Sequence, residues 1–232
     1  MIRLWHICML IPAQNEEELL PRCLTSVPHA RGHLPAGVIC DVVVAVDAST
    51  DRTAFVAEAM LSGSGAVDRV DAGMVGSARA IAAASALDRC GRPLSLCWFA
   101  HTDADCIVPE DWLLKQLILA EEGVETIAGT VSVDSFRDHC AEVEERSHGR
   151  YLIQADGRHA HVHCANLGVG ADVYRRAGVA TAEDHDLWNR LPLAGCFRVS
   201  TSKVHVITSG RGVGRAPHGC AEGLAAHNES VA

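Results

Sequence analysis

The chain has 232 residues, enough for one large domain or two small ones, and no segment within it reads as a linker. A hydrophobic share of 48% excludes a disordered chain, and a formal net charge of −9 argues against a general nucleic-acid or membrane-surface binder while permitting a cation. The ten cysteines contain no CxxC pair, which removes the zinc-knuckle and thioredoxin readings and predicts free, mostly buried thiols.

In chain order, WHICMLI reads as a first strand rather than a secretory leader, because it holds His6 and runs into three glutamates without a cleavage site. A helix is expected at about 16–27, then a buried strand at ICDVVVAV, a helix at 51–62 and a longer one at 75–90. The apolar run LSLCWFA at 94–100 is the third central strand. It is followed by a helix near 109–121 started by Pro109, a strand near 125–133 and a helix near 137–155. Short helices near 171–178 and 184–191 precede an extended tail, CFRVSTSKVHVITS. No segment approaches the ~20 apolar residues of a membrane helix. The chain is therefore expected to be soluble and cytoplasmic, in a compartment where thiols stay unpaired. Strands alternating with helices predict an α/β fold with a mostly parallel sheet.

Ligands of such sheets bind beyond the carboxyl ends of the strands, so the strand-to-helix loops carry the functional reading. They are PAQNEE at 12–17, DASTDRT at 47–53 and HTDADCIVPEDW at 101–112, all rich in acids, amides or hydroxyls. None is glycine-rich, so dinucleotide and P-loop readings lose their support. Asn15 is suited to cap the first helix, and Asp47, Ser49 or Thr50 the second, as readily as to touch a ligand. Asp103 and Asp105 precede Pro109 by several residues and so lie ahead of any helix start. Two carboxylates there call for compensation, which a divalent cation such as Mn2+ or Mg2+ supplies through oxygen ligands. The competing reading is a solvated acidic turn.

Seven motifs, IPAQNEE, VAVDASTDRT, GSARAIA, HTDADCIVPEDWL, CANLGVGADVYRRAG, EDHDLWNRL and TSGRGVGRAPHG, stand in an order that resembles the family 2 glycosyltransferases of the GT-A fold. The resemblance implies a single GT-A-like domain over 1–232, with a nucleotide-binding half at about 1–106, an acceptor half at about 107–210 and a flexible tail at 211–232. It implies inverting transfer of a sugar from a nucleoside diphosphate sugar to an acceptor hydroxyl, assisted by a divalent metal. Asp105 would be the direct metal ligand, with Asp103 nearer the ribose or the metal-bound waters. Pro12, Asn15 and Glu16 would line the nucleoside pocket, Asp47 would read the base edge, and Arg79 would lie near base or phosphate. For Arg79, a structural pairing with an acid on the helix surface competes with that role.

The same resemblance makes Asp184 the catalytic base beside Glu183, where N-terminal capping of a helix is the alternative. His163 and Asn166 would form the acceptor-side wall, with Cys164 standing where relatives carry glycine. A zinc site at His161 and His163 lacks an evident third ligand. His205 is a further residue able to approach the metal from the tail. Arg211 and Arg215 would close on the diphosphate, Gly212 taking the place of an arginine common in relatives. Two other functions fit the same loops: a nucleotidyltransferase, and a nucleotide-sugar-binding protein without turnover. The donor base, the acceptor and the oligomeric state carry no signature in the sequence.

Overall fold

The computed structural model of the chain describes residues 4–137, 139, 153–178, 188, 190, 191 and 195–211. Seven strands among them form one sheet: β1 (His6–Ala13), β2 (Ile39–Asp47), β3 (Ala66–Val70), β4 (Cys97–His101), β5 (Thr126–Val133), β6 (Leu167–Gly170) and β7 (Arg198–Thr208). Their order across the sheet is β3-β2-β1-β4-β6-β5-β7. All neighbours run parallel except those of β6, which is antiparallel to both β4 and β5. The carboxyl ends of the other strands therefore share one edge. Strand order reverses between β1 and β4, the position where open α/β sheets leave a crevice.

Alternation along the central strands builds a core on each face. Ile7, Met9 and Ile11 of β1 with Val42, Val44 and Val46 of β2 point to the face covered by α1 (Leu20–Gly32), α2 (Thr53–Leu61) and α4 (Trp112–Glu121). Cys8, Leu10, Val43 and Ala45 point the other way, onto α3 (Val75–Arg89) and α5 (Ala171–Arg176). α3 meets the sheet with Ala78, Ala82, Ala83 and Ala86, small side chains that bring its axis close. The large buried groups are Trp98, Trp112 and Phe99; Trp98 satisfies its indole N–H on Gln116 Oε1 at 2.8 Å.

Several expected elements change. α1 begins at Leu20, four residues after the predicted start, and continues through Pro28 to Gly32. Residues 94–96 form a 3-10 turn, so the third central strand begins at Cys97. Residues 137, 139 and 153–155 are not helical, and the rest of the expected 137–155 helix, like most of 184–191, lies outside the described residues. Cys90 and Cys97 form a disulfide, correcting the expectation of free thiols there. The end of α3 and the start of β4 bring their Cα atoms to 6.6 Å, a proximity that a spacing of seven residues does not advertise. Cys8, Cys23, Cys40, Cys106 and Cys164 are free and buried, as expected, and Cys196 is half-buried. The bridge removes the cysteine-based argument for a reducing compartment.

Candidate functional site

The loops after β1 and β2 are stitched to each other. Asn15 takes a left-handed backbone, φ 52°, which an asparagine tolerates, and its Oδ1 accepts from the N–H and the hydroxyl of Thr50 at 2.9 and 3.3 Å. Its own N–H donates to Ser49 Oγ at 3.0 Å, Glu16 N–H to Thr53 Oγ1 at 2.7 Å and Glu17 N–H to Asp51 Oδ2 at 3.1 Å. Capping by Asn15, Asp47, Ser49 or Thr50 does not occur. α1 has no side-chain cap, and the first amide of α2, on Thr53, is taken by Asp51 Oδ1 at 2.9 Å. Asp47 is buried and accepts through Oδ1 from Ala72 N–H and Gly73 N–H at 2.7 and 3.0 Å, which fixes the approach to α3. Pro12, also buried, closes β1 directly before this junction.

The loop after β4 stands across the crevice from Glu16 and carries the acids. Asp103 Oδ1 accepts from Arg79 Nη2 at 2.5 Å, so the pairing expected as an alternative for Arg79 joins a buried guanidinium to the 35% exposed carboxylate of the site itself. Asp105 is 13% exposed and contacts Thr208 Oγ1 at 3.3 Å and Arg211 Nη2 at 3.1 Å. Burial, with Asp103 and Glu16 beside it, pushes the Asp105 carboxyl up to about 6 against the pull of Arg211 and the Thr208 hydroxyl. Arg211 itself is bidentate on Glu16, at 2.8 and 2.6 Å.

Among the described residues, one group could hold a metal: Asp103, Asp105 and Cys106, with one ligand atom from each within 4.8 Å of the others. Cys106 is fully buried, and burial foremost, then the two aspartates, raises its thiol well above its ordinary range. The remaining donors are carboxylate oxygens. That set fits a hard cation such as Mg2+ or Mn2+ and does not fit a zinc site. β7 reaches the acids through Thr208; His205 pairs with Thr130 along the sheet.

Of the residues expected on the acceptor side, His163 is half-buried with its ring stacked on His161, centroids 6.3 Å apart. Asn166 is 1% exposed, and its amide is engaged on three sides. Nδ2 donates to Thr130 O and Val204 O at 2.8 and 3.1 Å, while Oδ1 accepts from Trp112 Nε1 at 2.9 Å. Glu183, Asp184 and Arg215 lie outside the described residues. Sequence reading passed over Arg22, Asp134 and Thr208. Asp134 was within reach of it, since it follows a predicted strand as Asp103 does; Arg22 sits in a helix with no local signal.

The family model for glycosyl transferase family 2 matches residues 8–170. No curated protein matches the chain. Among solved structures, S. aureus TarS residues 1–349 with UDP-GlcNAc is similar at a TM-score of 0.64 and 15% identity, over 89% of this chain and 59% of that one. GalNAc-T7 with UDP, GalNAc and Mn2+ is similar at 0.65 and 13% identity, over 91% and 45%. The mannosyltransferase PcManGT from Pyrobaculum calidifontis, with GDP-Man and Mn2+, is similar at 0.61 and 19% identity, over 90% and 58%. These likenesses establish the GT-A fold. The chain spans between 45% and 59% of the length of these three neighbours.

Proposed function

This chain belongs to glycosyl transferase family 2, and on that premise we propose that it moves a sugar from a nucleoside diphosphate sugar to an acceptor hydroxyl, with inversion and with a divalent cation, Mn2+ or Mg2+. The observation that carries the reading is the convergence of Asp103 and Asp105 with Arg79, Arg211 and Glu16 at the β1–β4 switch point. The neighbours with bound nucleotides support a donor of this class without fixing its base, since they hold UDP, UDP-GlcNAc or GDP-Man.

In this reading Asp105 would hold the cation directly and Asp103 would lie nearer the ribose or the metal-bound waters. A cation held there would neutralise charge on the diphosphate and make it a better leaving group. Pro12, Asn15 and Glu16 border the nucleoside, Asp47 faces the base edge from its fixed loop, and Arg79 orients Asp103 beside the phosphates. Arg211 and Arg215 stabilise the charge that grows on the departing diphosphate. Asp184 takes the acceptor proton, because attack on the face opposite the leaving group calls for a base separate from the carboxylates that hold the metal. Glu183 and His163 belong to the acceptor side, and Asn166 holds that wall in place.

The test is a panel of nucleoside diphosphate sugars with Mn2+, followed by release of nucleoside diphosphate. Release from one donor, dependent on Asp184, is expected. Pyrophosphate released from a nucleoside triphosphate would overturn the reading in favour of nucleotidyl transfer, and tight donor binding with no release would make the chain a binder.

A further inference from the structure

The Arg211 guanidinium stands where a cation is wanted. It grips both carboxylate oxygens of Glu16 and reaches Asp105 Oδ2 at 3.1 Å. The three side chains are 22%, 6% and 13% exposed, so the contact is far less screened than a surface ion pair. The residue is also held in place from behind. Gly210 N–H donates to Asp134 Oδ1 at 2.9 Å, Asp134 N–H to Thr208 O at 3.0 Å and Arg211 N–H to Ser209 Oγ at 3.3 Å. Asp134 Oδ2 in turn accepts from Arg22, whose Nη2 donates to the Asp105 carbonyl at 2.5 Å. One clamp thus joins the end of β5, the end of β7 and the loop that carries Asp105.

The charges around the crevice nearly cancel. The carboxylates of Glu16, Asp103 and Asp105 face the guanidiniums of Arg79 and Arg211, which leaves one net negative charge for a dication to meet. Without Arg211 that charge would double.

We propose that Arg211 is a resident counter-ion of this acidic platform, which a divalent cation must displace from Glu16 and Asp105, and that Asp134 is the positioning residue that seats it there. The inference rests on the metal reading of Asp103 and Asp105 given above. The exchange conserves charge balance: a dication on Asp105 and Asp103 replaces the positive charge that Arg211 had placed beside Asp105 and Glu16, and the freed guanidinium meets the diphosphate that arrives with the metal. Neither the buried acids nor the arginine is left uncompensated. Metal alone therefore binds weakly, and metal with diphosphate binds cooperatively.

The experiment measures Mn2+ affinity without nucleotide, from the electron paramagnetic resonance signal of the free ion, for the unmutated protein, Arg211→Ala and Asp134→Ala, each checked for its melting transition. Arg211→Gln is the second variant should alanine fail to fold. Competition between two ligands of one platform predicts at least about fivefold tighter Mn2+ binding in Arg211→Ala. A smaller gain is expected in Asp134→Ala, an effect that mere loss of stability would not produce. Nucleoside diphosphate affinity in Mn2+ should move the opposite way in Arg211→Ala. Unchanged or weaker Mn2+ binding in a folded Arg211 variant, with clear binding to the unmutated protein, would overturn the exchange and leave the metal reading standing. If none of the proteins binds Mn2+ and nucleotide binding ignores chelator, both readings fall.

Discussion

Asp105 meets five influences: burial and two neighbouring carboxylates resist its charge, and Arg211 and Thr208 favour it. A carboxylate kept charged there has to share a cation, which is why it is the residue whose loss should be felt first. Asp105→Ala is expected to remove the dependence of nucleoside diphosphate affinity on Mn2+, read by calorimetry with metal and with chelator; persisting dependence would move the metal elsewhere. Asp184 is the other single-residue test. Asp184→Asn retains the shape and most capping ability but not the basicity, so transfer per folded molecule should fall ~10²–10⁴-fold with donor affinity unchanged. A helix cap predicts a different outcome, a stability loss of at most ~2 kcal/mol with turnover intact. Reading residues in sequence served the acids well, since charges placed at the end of an apolar run demand an explanation. It could not find Thr208 or Arg22, whose partners on the Asp105 loop lie 103 and 83 positions away.

At the scale of elements, β1, β2 and β4 were legible because they are buried on both faces and read as continuous apolar runs. β3 was not, as its five residues, AVDRV, are half-exposed at the sheet edge and lack a run. β6 has the sequence LGVG, and it is its neighbours β4 and β5 that make it a strand. Between β5 and β7 the register jumps, with 202–204 of β7 standing opposite the Gly129–Thr130 step. Asn166 fills this irregularity by donating to one carbonyl on each strand. Asn166→Ala should therefore cost about 3 kcal/mol, since it orphans Trp112 Nε1 as well, and urea unfolding measures it. Gly129→Ala should destabilise in the same direction, because its Cβ would lie 2.2 Å from Asn166 Nδ2. For the segment after β7, Arg211→Ala with Arg215→Ala should weaken nucleoside diphosphate binding more than monophosphate binding. Equal losses would remove the outer phosphate from the account.

Across the whole molecule, six of the seven strands end on one edge, and five of them bring the residues of the site there: Glu16 after β1, Asp47 ending β2, Asp103 and Asp105 after β4, Asp134 after β5 and Arg211 after β7. The α/β pattern and the family order of motifs made this arrangement legible, because parallel topology sends every such loop to the same side. What they could not show is that two arginines already sit among the acids, for that is a property of packing. No described helix is long and apolar enough to cross a membrane. A net charge of −9 provides no general attraction for nucleotides, so the proposed function assigns tight diphosphate binding to this one edge with a cation in it. The direct test is calorimetric titration of nucleoside diphosphates into the unmutated protein, once with Mn2+ and once with chelator. The account predicts binding that requires the metal; equal affinity in both conditions would contradict it.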